Sequence, residues 1–174
     1  GQDSIMYDGE LSQVQAIQNA AKAFVYGAQF NLEINFSKHI LFISELSYQY
    51  GKEELDDKSI SPSRHVVPTY GRSHLKYLKN KTELIFIANY SDGFTTEELN
   101  VGEKNKPHLY AIDINGNPYS PSWYTLDFKI SQKLSKKFYV SGGVENISNQ
   151  RYRTYSSGVT APGRSYILSL KANL

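Results

Sequence analysis

Apolar and polar residues alternate with a period of two in seven separate stretches of this chain. The first sets Ala28, Phe30, Leu32, Ile34 and Phe36 against Gln29, Asn31, Glu33 and Asn35. The second sets Ile40, Phe42, Leu46, Tyr48 and Tyr50 against Glu45, Ser47 and Gln49. In the third, Tyr70, Leu75 and Tyr77 oppose Arg72, His74 and Lys76. Leu84, Phe86, Ala88 and Tyr90 follow, alternating with Glu83 and Asn89 while Ile85 and Ile87 blur the polar side. Tyr124, Leu126, Phe128 and Ile130 make the fifth apolar set, and Phe138, Val140 and Val144 the sixth. Tyr166, Leu168, Leu170, Ala172 and Leu174 make the last. A period of two means β-strand, and no stretch sustains the period of 3.6 that a helix needs. The pattern predicts an all-β protein.

The connections between these stretches alternate in length. Residues 37–39, 79–81 and 133–136 predict short turns, whereas 51–67, 92–121 and 148–163 are long and rich in Gly, Pro, Asn, Asp and Ser. Short turns at one end and long loops at the other suit an antiparallel up-and-down meander, the layout of a transmembrane β-barrel with periplasmic turns and extracellular loops. A structureless loop of some 30 residues would be out of place in a compact soluble domain.

Composition narrows the choice further. There are 14 Tyr against one Trp and one Met, and Tyr combines a strand-favouring ring with a hydroxyl that seeks water. Its clustering at strand ends (Tyr48, Tyr50, Tyr70, Tyr77, Tyr90, Trp123, Tyr124) suggests the aromatic belts of a membrane barrel, although cross-strand aromatic pairing gives the same pattern. No apolar run approaches the 18 residues of a membrane-spanning helix. A net charge of +2 speaks against a dedicated nucleic-acid binder. The absence of cysteine fits an oxidising compartment. The opening residues 1–7 lack a signal peptide and read as the inside of a strand, as expected of a piece of something longer.

One region is more specific. Gly143-Val144-Glu145-Asn146-Ile147, Arg151-Tyr152-Arg153 and Ala161-Pro162-Gly163-Arg164-Ser165-Tyr166 precede a last alternating strand that ends on Leu174. Together they resemble the closing hairpin of TonB-dependent outer-membrane receptors, whose final residue is more often Phe or Trp. Val67-Pro68-Thr69-Tyr70-Gly71-Arg72 and the stretch from Asn19 to Gly27 resemble the beginnings of strands in that family. Asn115-Gly116-Asn117-Pro118 with Pro121-Ser122-Trp123 resembles receptors of the Bacteroidota. The resemblance implies that residues 1–174 are a C-terminal segment, about seven to eight strands of a 22-stranded barrel in the outer membrane of a Gram-negative bacterium. It also implies lipid, the protein's own plug and remaining strands, TonB acting through a missing N-terminal part, and a scarce nutrient as partners. That nutrient is an iron-siderophore, haem, cobalamin or a glycan in such receptors. Tyr166, Leu168, Leu170 and Leu174 would form the terminal strand read by the barrel-assembly machinery. An isolated fragment would have to cover its free strand edges, and self-association is one way to do so.

Two groups of residues are candidates for binding. Phe94, Tyr110, Tyr119, Tyr152 and Tyr155 in the long loops can grip a ligand by stacking or simply pack the loops together. Arg72, His74 and Lys76 form a polar stripe on one strand, read here as lumenal charges paired with Glu45, Glu83 or Asp127 rather than as a contact for plug or anionic solute. His39, His65, His74 and His108 show no metal-ligand spacing. The run from Glu97-Glu98 to Asp113-Ile114-Asn115-Gly116-Asn117 lacks the residue order of a calcium loop and reads as a solvated turn. No catalytic constellation, metal site or cofactor motif stands out. Two other architectures stay open. One is a complete small outer-membrane barrel with a structural or adhesive role. The other is a soluble lipocalin-like barrel with Phe30, Leu32, Phe86 and Phe128 inside.

Overall fold

The computed structural model describes residues 4–13, 22–64 and 66–173. In chain order its strands are β1 (Ser4–Tyr7), β2 (Glu10–Gln13), β3 (Ala23–Ser37), β4 (Ile40–Glu54), β5 (Ile60–Pro62), β6 (Tyr70–Lys79) and β7 (Thr82–Ser91). A single helical turn, α1 (Val101–Lys104), and a 3-10 turn at Pro107–Leu109 follow. The chain then continues through β8 (Ala111–Ile112), β9 (Pro118–Tyr119), β10 (Trp123–Lys133), β11 (Phe138–Glu145) and β12 (Ser165–Ala172). One antiparallel sheet runs β12-β11-β10-β7-β6-β4-β3, with β5 beside β4. Each long strand pairs with the next one along the chain, so the sheet is the expected meander, and each alternating stretch lies on one of its strands. Leu174, His65 and residues 14–21, which include Asn19, fall outside the described residues.

Local chemistry closes the short turns. The Ser37 hydroxyl accepts the N–H groups of His39 and Ile40, each at 3.2 Å. Ser135 does the same for Lys137 and Phe138, also at 3.2 Å. Between β6 and β7, Asn80 sits at φ +56°, a left-handed conformation that Asn tolerates better than most residues. The pattern of alternation missed one hairpin. Asp8 (φ +50°) and Gly9 (φ +83°) turn β1 back onto β2 as a separate two-stranded unit.

Register then sorts the side chains onto two faces. Across β3 and β4, Tyr26 faces Tyr50, Phe30 faces Leu46 and Ile34 faces Phe42. The row continues through Leu75 opposite Phe42 and Phe86 opposite Leu75. Phe128 lies opposite Phe86 and Val144, and Leu168 and Leu170 lie opposite Gly142 and Val140. This apolar face is open: Phe30 is 59%, Phe86 53% and Leu168 83% exposed. The other face is polar and is covered only around β7 and β10, with Thr125 3% and Asp127 7% exposed. Asn31, Glu33, Glu45 and Arg72 on the same face are exposed. Among the described residues the buried apolar side chains are Val66, Pro68, Ile87, Leu99 and Tyr110, while Ser61, Ser63, Asn100, Glu103, Ser120 and Asn146 are also buried. A soluble fold buries its apolar face; this one exposes it.

This arrangement overturns the lipocalin-like alternative, since Phe30 and Phe86 line the open face instead of a cavity. It also gives no support to a closed small barrel, because β3 and β12 stand at opposite ends of the described sheet. At the end away from the short turns, Tyr26, Tyr48, Tyr50, Tyr90, Tyr124 and Tyr166 share the apolar face, at matching levels in the pairs Tyr26–Tyr50 and Tyr90–Tyr124. Tyr70 and Trp123 do not belong to this belt. Tyr70 pairs with Ser47 and Ser91, and Trp123 pairs with Ser91, so both lie on the polar face. β6, β7 and β10 contain 10, 10 and 11 residues, which matches the roughly 9–11 that carry a tilted strand across a bilayer core.

Gly71 makes room for part of this belt. A Cβ there would stand 2.6 Å from both the Glu45 carbonyl oxygen and the Tyr90 ring. The ring carries the Tyr90 hydroxyl to within 3.4 Å of the Ser73 hydroxyl, which in turn bonds Ser44 at 2.9 Å. Gly71→Ala is therefore expected to cost about 2 kcal/mol through overpacking. Urea unfolding in detergent micelles checks this, and in a Tyr90→Ala background the cost should fall by about half.

Candidate functional site

The structured loops gather at the end of the sheet away from the short turns, and Asn146 fastens one of them. It ends β11 at φ +49°. Its backbone N–H donates to the Asp127 carboxylate at 2.8 Å. Its side-chain amide donates to the carbonyls of Gln150 (2.8 Å) and Pro162 (3.2 Å) and accepts from the Gln150 N–H at 2.9 Å. Asn149, also left-handed at φ +53°, accepts the Arg164 N–H at 2.9 Å, and Arg164 Nε donates to the Ile147 carbonyl at 2.9 Å. A Cβ on Gly163 would come within 2.7 Å of Asn149 Oδ1. Asn146 and the Pro162-Gly163-Arg164 run thus form one hydrogen-bonded knot that brings the chain back into β12.

α1 joins the other loops. The Asn100 side chain caps this turn by accepting the Gly102 N–H at 2.7 Å. Its amide nitrogen donates to Glu53 (2.9 Å), the Ser61 hydroxyl (3.2 Å) and the Pro62 carbonyl (2.6 Å). Three residues on, Glu103 accepts from the Tyr110 hydroxyl (2.6 Å), the Ser156 hydroxyl (3.0 Å) and Lys106 Nζ (2.9 Å). Asn100 and Glu103 are 1% and 2% exposed. Burial pushes the Glu103 carboxyl upward, but the bonds from Tyr110, Lys106 and Ser156 outweigh it and hold the group below its ordinary value. Burial, with the hydrogen bond to Glu103, drives the Tyr110 hydroxyl well above its own.

The loop aromatics divide into two groups. The Phe94 ring meets Tyr155 edge to face at 5.2 Å, and Tyr110 lies 6.1 Å from Tyr155. Tyr152 stands apart from these and stacks on Trp123, centroids 4.2 Å apart and planes 25° from parallel. Tyr119 sits in the β8–β9 hairpin opposite Ala111. The Asp113 turn of that hairpin uses its own acid, which accepts the N–H groups of Asn115 and Asn117 at 2.8 Å each. Between loops 92–122 and 146–164 lies a cleft of about 410 Å³, lined by Tyr110, Trp123, Gln150, Arg151, Tyr152 and Arg153 among others. A second hollow of about 670 Å³, on the polar face, includes Glu45, Tyr70, Arg72, Trp123 and Tyr155 in its wall.

The polar stripe lies where the alternation placed it, on the polar face of β6, with Arg72 exposed and His74 and Lys76 half-buried. Its pairing differs from expectation. Glu45 stands directly opposite Arg72 and Ile43 opposite His74, yet the ion pairs among the described residues are Lys58–Glu54, Lys106–Glu103 and Lys129–Glu145. Asp127 is occupied by Asn89 Nδ2 at 3.1 Å and by the Asn146 N–H. Trp123, Asn100, Glu103, Arg151 and Arg153 were not singled out as site residues from the sequence. The one available signal was the flanking of Tyr152 by two arginines.

No protein-family model matches the sequence, and comparison with curated proteins finds no relative. Solved structures do match. The copper transporter OprC superposes with a TM-score of 0.68 at 15% identity, over 86% of this chain and 23% of that one. The siderophore receptor PiuA from Acinetobacter baumannii gives 0.60 at 16% identity, over 86% and 22%. A variant of the ferric enterobactin receptor PfeA from Pseudomonas aeruginosa gives 0.62 at 16% identity, over 88% and 23%. This chain therefore spans less than a quarter of the length of the proteins it superposes on, and its fold is that of a partial TonB-dependent receptor barrel.

Proposed function

We propose that the chain is a C-terminal barrel segment of an outer-membrane receptor that takes up a scarce nutrient with energy from TonB, and that it has no catalytic role. The observation that carries this reading is the inverted sheet: an open apolar face with a tyrosine belt, backed by a polar face whose buried centre holds Thr125 and Asp127. The matched structures carry copper-transporter and siderophore-receptor names, and iron-siderophore, haem, cobalamin and glycan all remain candidates for this chain. In this reading Arg72, His74 and Lys76 face the protein's own plug or a passing anionic solute. Phe94, Tyr110, Tyr119, Tyr152 and Tyr155 shape the outer loops. Tyr166, Leu168, Leu170 and Leu174 carry the strand recognised by the barrel-assembly machinery, and a second copy or further strands cover the free edges of β3 and β12.

A charge placed on the open face tests for lipid. Phe86 lies mid-strand, 4.7 Å from Phe128. Phe86→Gln and Phe86→Lys both lose that ring contact, so their difference isolates the charge. In a bilayer Phe86→Lys is expected to be less stable than Phe86→Gln by about 2 kcal/mol, measured by urea unfolding in lipid vesicles. Equal stability of the two variants would mean that the face meets water, and the membrane reading would fail.

A further inference from the structure

We propose that the cleft between loops 92–122 and 146–164 binds a planar anion, a conjugated ring carrying carboxylates or similar acidic groups. The proposal rests on the receptor reading and supplies a ligand class for its outer loops. Its first support is charge. Arg151 and Arg153 both line the cleft, and neither takes part in an ion pair among the described residues. Arg153 Nη1 donates to the His108 carbonyl at 3.1 Å, which positions the guanidinium and leaves its other N–H groups free for a ligand. The nearby carboxylates are spent: Glu103 on Lys106 and two hydroxyls, Asp127 on Asn146 and Asn89.

The second support is shape. Trp123 and Tyr152 present a stacked aromatic slab in the cleft wall, and the volume of about 410 Å³ lies within the range of small-ligand sites. A flat ring can lie along such a slab while its acidic groups meet the guanidinium forks, which suit carboxylates better than single point charges do.

Trp123 is the single tryptophan of the chain and lies in the cleft wall, so its emission reports occupancy directly. The full chain in detergent micelles is titrated with trimesate, a benzene ring bearing carboxylates, and with its neutral amide counterpart. Trimesate is expected to change the emission saturably, and the amide to bind at least about tenfold more weakly. Arg151→Gln with Arg153→Gln should weaken trimesate binding by about tenfold or more. Lys79→Gln with Lys81→Gln removes the same charge at the short-turn end and should leave affinity within about twofold. Equal binding of the amide, or an equal loss from the lysine changes, would overturn the proposal. Both of those comparisons hold even if the arginine variant fails to fold. Membrane insertion is read separately by the Phe86 pair, which leaves the cleft intact, so the two readings fail independently.

Discussion

Asn146→Ala is expected to destabilise the folded sheet by about 4 kcal/mol. The lost bonds to Gln150 and Pro162 account for about 3 of these, at about 1 for each hydrogen bond. The remaining ~1 comes from forcing alanine to hold the left-handed φ of +49°. Asn146→Gly separates the two contributions, because glycine holds that φ without strain and makes none of the side-chain bonds. It should cost about 3 kcal/mol. Urea midpoints in detergent micelles measure both variants. Should glycine restore near wild-type stability, the asparagine would matter for its backbone alone and the hydrogen-bonded knot would carry little.

Glu103→Ala should release the outer loops from one another. It leaves the buried Tyr110 hydroxyl, Ser156 and Lys106 without their common acceptor. Removing one partner from a buried charged cluster costs about 3–5 kcal/mol, and because Lys106 is half exposed the lower end applies. At about 3 kcal/mol, trypsin cleavage after Lys104 should accelerate on the order of 100-fold, provided cleavage follows the open population. The sign of the pH effect follows from the depressed carboxyl. Its contribution is fully present above the ordinary glutamate range and is lost as pH falls through the lower folded value. Wild type should therefore lose loop protection on acidification, as read by amide exchange in 92–122, while Glu103→Gln should show a smaller change. Matching acid profiles for the two proteins would remove Glu103 from the role of latch.

Most of the sheet was legible in the sequence because strand alternation is a local property of the pleat. Phe30, Leu32 and Ile34, or Leu126, Phe128 and Ile130, carry it without reference to any neighbour. Errors arose where one residue broke the period. Tyr70 groups with Leu75 and Tyr77 by residue type, yet it is out of phase with them, and pairing with Ser47 and Ser91 sets it on the polar face. Trp123, at the start of β10, fell in the same way. The Asp8-Gly9 hairpin carries a turn signal of its own, but its four-residue strands are too short to show a sustained alternation.

The candidate site was less legible. The sequence named the loop aromatics but left open which of them meet. Phe94, Tyr110 and Tyr155 come together, while Tyr152 pairs with Trp123 from a different element. The bonds that shape the loops join Asn100 to Glu53 across 47 residues and Ser156 to Glu103 across 53. No spacing rule reaches so far.

The amino-acid order by itself determined the seven strands, their meander and the alternation of short turns with long loops. Each of these follows from period two and from turn chemistry within a few residues. Tertiary structure alone decided which face was open, which side Tyr70 and Trp123 occupied, and that Asn100 and Glu103 bind separate loops together. A strand's face is set by the register of its neighbours, where a one-residue shift inverts every side chain. A loop's contacts are set only when the sheet has brought its distant ends to the same place.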